Sequence, residues 1–257
     1  MRALVSSPTT IKTWITAATL YFVAAALTIH LTSNGRDIAT LWPANAILVA
    51  LLLADGRPRW KTILSAGFAA NIAANLITRG SIIGPLLYGI SNLVEIWLVT
   101  FLLRRGGSSE SILSSSASVL RFLLVAGLVS PAASGLLGAF TAKTFFAEPF
   151  GKSLGTWIAS DGLGLLVFTP FFLALFRGEF VDCFNSKSWL RRMETAGLIA
   201  TAAAAAGVIF FVAREPLLFA LFPPVMLVTF RVGRIGTKIT VMLIAIIGSV
   251  GTMRGYG

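Results

Sequence analysis

Nine apolar segments occupy most of this chain, at residues 14–31, 41–54, 60–78, 82–103, 117–140, 153–176, 194–213, 217–230 and 235–253. About 20 apolar residues coiled as a helix span the hydrocarbon core of a bilayer. A helix also satisfies its own backbone, which lipid does not. The connections are short, so consecutive helices run mostly antiparallel. The expected fold class is all-α: a polytopic transmembrane helical bundle, one integral-membrane domain over residues 1–257, with about eight to ten spans in the intact domain. Segments 41–54 and 217–230 are short for a crossing and hold Pro43 and the pair Pro223 and Pro224. That predicts tilting, kinking or partial re-entry.

The composition agrees. Of 257 residues, 56% are hydrophobic and only 12% charged, against about 25% charged in a soluble domain. An ordinary soluble enzyme, a disordered tail and a collagen-like rod are excluded. No stretch remains for a soluble catalytic domain of about 100 residues. The single Cys183 excludes an internal disulfide and a multi-cysteine metal site. Arg2 and Lys12 ahead of the apolar run at Trp14 imitate a signal peptide, but eight further apolar segments favour a retained first span.

A net charge of +11, from 21 basic and 10 acidic residues, would suggest nucleic acid in a soluble protein. Here it reads as topology, and no nucleic-acid partner is expected. With the N-terminus in the cytoplasm, 15 basic residues fall in inner segments, among them Arg57, Arg104, Arg121, Arg192 and Arg234. Six fall outside: Arg36, Arg79, Lys143, Lys152, Arg214 and Arg254. The positive-inside rule selects this orientation. All six Trp (Trp14, Trp42, Trp60, Trp97, Trp157, Trp189) lie at segment ends or in a flanking loop, as in an interfacial belt. Nine spans leave Gly257 outside, so a further helix returning to the cytoplasm, followed by an output domain, is expected beyond it.

Apart from Glu194 at the very start of its segment, Glu95 and Asp161 are the only carboxylates inside the apolar segments. A charge in the membrane is costly, so an intramembrane acid marks function by default. Asp161 lies eight residues past 153 and Glu95 eight before 103, each about 12 Å deep from opposite faces. Their depths then differ by about 6 Å in a core of about 30 Å. Ser91 and Glu95, Trp157 and Asp161, and Asn71 and Asn75 are i, i+4 pairs, each sharing a helix face. Asn92 precedes Glu95 by three residues; Trp42, Pro43 and Asn45 open the second segment at the same depth. The candidate ligand-binding set is therefore Trp42, Asn45, Asn71, Asn75, Asn92, Glu95, Trp157 and Asp161. Two uses compete: lining a site for a small ligand, or hydrogen bonding between helices. Gly162 and Gly164 beside Asp161 permit either close helix packing or a local break.

Enzyme signatures fail. Gly151-Lys152-Ser153 imitates the end of a phosphate-binding loop, but Phe146 stands where its first glycine is required. The one histidine, His30, has no acid nearby in sequence for a triad. A metal held by His30, Glu95 and Asp161 follows no ligand spacing. No catalytic residue, metal or cofactor is expected.

The motifs taken in order resemble a known family. They are Leu41-Trp42-Pro43-Ala44-Asn45-Ala46, then Gly56-Arg57-Pro58-Arg59-Trp60, then residues 67–75, Asn92 and Glu95. Then come Trp157-Ile158-Ala159-Ser160-Asp161-Gly162-Leu163-Gly164, Thr169-Pro170 and Phe230-Arg231-Val232-Gly233-Arg234 with Gly236. Their order is similar to that of the first class of membrane-associated sensor (MASE) domains, over nearly the whole chain. Asn45 and the pair Val228 and Thr229 depart from the pattern, which has glycine and an aromatic there. The resemblance implies a bacterial inner-membrane input module preceding a cytoplasmic output: a GGDEF diguanylate cyclase, a GGDEF–EAL pair, a PAS domain or a histidine kinase. A diguanylate cyclase needs two GGDEF domains to meet, which implies a homodimer. Neither GGDEF nor EAL motifs occur in this chain. The expected function is a sensor that binds a small ligand or senses a membrane signal. A transporter, or the membrane subunit of an uptake system, is the alternative, supported by the short proline-bearing segments and Asp-Gly-Leu-Gly. An intramembrane enzyme fits least.

Overall fold

A computed structural model describes residues 10–32, 41–55, 59–79, 83–105, 112–213 and 217–256. The topology residues Arg2, Arg36, Arg57, Arg214 and Gly257, and the motif residues Gly56 and Pro58, lie outside the described residues. The described residues form eleven α-helices: α1 (Thr10–Thr32), α2 (Ala44–Ala54), α3 (Trp60–Arg79), α4 (Ile83–Arg104), α5 (Ser116–Leu124), α6 (Ser130–Phe146), α7 (Phe150–Phe176), α8 (Glu179–Asn185), α9 (Trp189–Phe211), α10 (Phe222–Val232) and α11 (Arg234–Met253). The protein is a polytopic helical membrane protein, as the apolar pattern required.

The number of crossings is a correction. Among the described residues six helices are long and apolar enough to cross a membrane: α1, α4, the continuous run Ser116–Phe146, α7, α9 and α11. Segment 41–54 shortens to the 11 residues of α2, and segment 217–230 to the apolar helix Leu218–Val232. Segment 60–78 does form a 20-residue helix, but Lys61, Asn71 and Asn75 make α3 more polar than a free span. The parity count resting on nine crossings loses its basis. The connection at 177–193 is also more ordered than a loop, since it contains α8.

The chain divides into two compact units, Met1–Leu173 and Ala174–Gly257. In the first, α2 is the innermost element: nine of its eleven residues are buried, which only surrounding helices permit, since α2 is apolar on all sides. It touches α1, α3 and α4, while α1 packs along α3 and α4 along α6. Close approach is built on glycine: a Cβ on Gly67 would stand 2.2 Å from Leu48 of α2.

Between α5 and α6 the run widens into a π-helical turn, Val125–Val129. Pro131 explains it. A proline inside a helix lacks an N–H and presses on the carbonyl four residues back, here Gly127, and one extra residue in the turn relieves that contact. The Gly127 carbonyl then faces α7, where it lies 2.7 Å from the position a Cβ on Gly162 would take.

In the second unit α9 packs on α11 and α10. The alanine-rich run 201–207 turns Ala202 and Ala206 inward, and Phe210 seats against Gly248 and Gly251 of α11. Gly233, at φ 86°, makes the tight link between α10 and α11, a conformation that only glycine adopts without strain.

Candidate functional site

All eight sequence-selected residues lie in the first unit and all are buried. Asn45, in the first turn of α2, is the hub. Its Oδ1 accepts from Tyr21 Oη of α1 (3.0 Å) and from Trp42 Nε1 (3.2 Å). Its Nδ2 donates to Asn92 Oδ1 and to Glu95 Oε1 of α4, both at 3.1 Å. Asn92 Nδ2 donates to Asn71 Oδ1 of α3 (3.2 Å), and Asn71 Nδ2 to the Pro85 carbonyl (3.2 Å). Asn75 sits at the edge of this network, donating back to the Asn71 carbonyl at 2.9 Å.

The other Glu95 oxygen faces α6. Ser134 Oγ donates to Oε2 at 2.6 Å, and Trp157 Nε1 of α7 donates to Ser134 Oγ at 3.1 Å. Trp157 owes its position to glycine: a Cβ on Gly138 would stand 2.4 Å from its ring. Tyr88 packs on the same indole at a centroid distance of 5.5 Å.

Asp161 joins from α7. It is 3% exposed, and its side chain interacts directly with that of Glu95. Its Oδ2 has no hydrogen-bond partner. Two backbone contacts hold this stretch of α7. Trp42 N–H donates to the Ser160 carbonyl at 3.4 Å, and a Cβ on Gly164 would stand 2.2 Å from the Trp42 carbonyl. Gly162 and Gly164 therefore serve close packing: α7 continues unbroken through both.

The structure brings the two acids together, although they lie 66 positions apart and on helices whose adjacency the sequence does not encode. It also overturns one expectation. Trp42 and Trp157 are interior hydrogen-bond donors, 8% and 5% exposed, not members of an interfacial belt. An indole N–H that finds an acceptor is as much at home in a polar interior as at an interface. Ser91, one turn before Glu95 on α4, donates to the Leu87 carbonyl (3.1 Å). His30 is exposed at the end of α1, away from the acids. Among the described residues no three His, Cys, Asp or Glu side chains gather.

Sequence reasoning missed Tyr21 and Ser134. A phenol in the middle of an otherwise apolar first span was the available signal for Tyr21. Ser134 lies in the small-residue run Ser130-Pro131-Ala132-Ala133-Ser134-Gly135, a composition that lets helices approach closely and share hydrogen bonds.

An apolar helical bundle wrapped around a buried acid pair and an amide network defines a multi-pass membrane protein with a polar interior. A family model, MASE1, matches residues 14–256. The match spans nearly the whole chain, so the chain belongs to the MASE1 family of membrane-associated sensor domains, which are sensory and not catalytic. No curated protein matches the chain, and no solved structure matches it.

Proposed function

We propose that this chain takes up a small ligand at the buried cluster around Glu95 and Asp161 and regulates a C-terminal cytoplasmic output domain, a diguanylate cyclase controlling cyclic di-GMP. The module works in the bacterial inner membrane as a homodimer, with its N-terminus in the cytoplasm. One observation carries the ligand reading. The side-chain donor atom of each of Tyr21, Trp42, Asn45, Asn92, Ser134 and Trp157 has an acceptor within the cluster, while Asp161 Oδ2 is buried with no partner. A cluster serving only to join helices would satisfy its most costly group first. The diguanylate cyclase output is supported by the family resemblance, and the orientation by Arg59, Arg104 and Arg121, which gather at the end of the first unit where α1 begins.

Signalling requires that the ligand prefer one of two helix arrangements; equal affinity for both shifts nothing. The cluster suits that task. Its bonds tie α1, α2, α3, α4 and α6 to one another and reach Trp157 on α7. A charge placed at Asp161 acts on Glu95, and through Glu95 on both Asn45 and Ser134. The test is cyclic di-GMP output of the full-length parent in a reporter strain, with Asp161→Asn and Glu95→Gln against wild type over a range of external NaCl and pH. Both variants should accumulate normally and shift the response. An unchanged response for both removes the acid pair from the sensing mechanism.

A further inference from the structure

Several hydroxyls on the helices of this protein are satisfied within their own helix. Ser91, Thr141, Thr195, Thr201 and Thr229 each donate to the carbonyl four residues earlier, at 2.8–3.1 Å. In the first unit four buried hydroxyls have no partner: Thr100, Ser130, Ser160 and Thr169. They are confined to α4, α6 and α7, the helices that carry Glu95, Ser134 and Asp161.

Their placement is directional. Arg121 donates to the Leu102 carbonyl near the end of α4, and Gly84 at the start of α4 meets Phe146 at the end of α6. The run through α5 and α6 is therefore antiparallel to α4. Gly138 meets Trp157 and Gly127 meets Leu166, so α7 is antiparallel to α6. Thr100 lies five residues beyond Glu95, Ser130 four before Ser134, and Thr169 eight beyond Asp161. These offsets are about 7, 6 and 12 Å along the axes, and all point toward the end marked by Arg104 and Arg121. Unpartnered hydroxyls thus run from the acid pair toward one end of the unit, the cytoplasmic end in the proposed orientation. Pro170, next to Thr169, adds an acceptor, because its missing N–H leaves the Leu166 carbonyl without its helical donor.

The acid pair lacks positive charge. No Lys, Arg or His is among the described groups acting on either carboxyl. Two buried carboxyls in contact are neutralised either by protons or by a cation. One shared proton would bridge the pair but leave Asp161 Oδ2 unmet. Beside the amide and hydroxyl donors that hold Glu95, the pair offers carboxylate oxygens, of which Asp161 Oδ2 has no partner. Two carboxylates with no third His, Cys, Asp or Glu beside them among the described residues select hard cations over transition metals, and intramembrane acids hold such ions in membrane proteins. We propose that Glu95 and Asp161 bind a small monovalent cation, an alkali metal ion or an ammonium group, which approaches along the hydroxyls of Thr100, Ser130 and Thr169. The sequence alone gave no reason to expect a metal. This inference deepens the sensory reading and rests on it for the meaning of occupancy, though not for binding itself.

The test is a binding titration on the purified chain in lipid nanodiscs at fixed pH. Choline chloride holds ionic strength constant while Na+, K+ or methylammonium replaces choline. Melting temperature and tryptophan fluorescence are the readouts, because Trp157 and Trp42 are each one hydrogen-bonded residue from Glu95. A saturable response to at least one small cation is expected, with half-saturation raised at least about tenfold in Asp161→Asn. Saturation by Na+ or K+ alone identifies a metal ion; saturation by methylammonium identifies an ammonium group. No saturable response in wild type, a response to pH alone, or an equal response in Asp161→Asn and Glu95→Gln overturns the site. If neither variant folds, Thr169→Val replaces them: slower equilibration with the cation is expected, and an unchanged rate overturns the path. Binding without any change in reporter output would leave the cation site standing and remove its sensory role.

Discussion

The two units use the same apolar alphabet for different ends. In the first, half of the best apolar window of α4, of the α5–α6 run and of α7 is buried; in α9 and α11 of the second the share is 22%. The first unit places four Asn and two Tyr side chains, two acids and two indoles inside. Among its described residues the second buries only Thr195 and Thr240 of the polar ones and only Ala174, Ala202, Ala206 and Val228 of the hydrophobic ones. Phe219, Phe222 and Phe230 are 93%, 64% and 78% exposed, a surface suited to lipid or to another protein chain. Its ion pairs, Arg231 with Glu194 and Lys238 with Glu179, stand partly in the open. An interior deep enough to hold polar groups is what separates the first unit from the second.

The largest predicted effect breaks the first interior sterically. Gly164→Ala drives a methyl into the Trp42 carbonyl, 2.2 Å away, and backbone cannot yield as a side-chain tip does. A loss of about 3 kcal/mol or more is expected, seen as a large drop in melting temperature or loss of folded protein. Next comes Asn45→Ala. It removes the acceptor of Tyr21 and Trp42 and the donor to Asn92 and Glu95, at about 1–3 kcal/mol for each buried group left unpaired. Asn45→Asp, which restores the acceptor but not the donor, should rescue only part of the loss. Ser134→Ala should cost less, about 1–2 kcal/mol, and should also change Trp157 fluorescence, because the indole loses its acceptor.

The second unit supplies the small effects. Gly197→Ala and Gly207→Ala fall on α9 where a Cβ meets nothing within 4 Å, so both should be neutral or stabilising by roughly 0.5–1 kcal/mol. Arg231→Gln breaks an exposed ion pair, and a melt should barely resolve the change. If Gly207→Ala proved as damaging as Gly164→Ala, the contrast between the units would fail.

Much of the site was legible. Intramembrane acids are so costly that Glu95 and Asp161 announced themselves, and helical spacing set Asn92 beside Glu95 and Asn71 beside Asn75. Tyr21 and Ser134 were not legible, because a phenol or a hydroxyl in a membrane helix is cheap enough to be structural. The tryptophans misled for a related reason: a position at a segment end predicts an interfacial ring only where no buried acceptor is in reach. The glycines beside Asp161 left packing and breakage open, and only the approach of the Trp42 and Gly127 carbonyls decided between them.

The sequence by itself determined that this chain lives in a membrane, that it is helical, and which two acids matter, since each follows from the cost of placing polar groups in lipid. The tertiary structure alone decided that α4, α6 and α7 meet, that α2 lies at the centre without the length of a free span, and that Asn45 joins both acids to the amide network. Helix adjacency depends on which small residues let which backbones approach, and that is a property of pairs of surfaces, which no single segment of sequence contains.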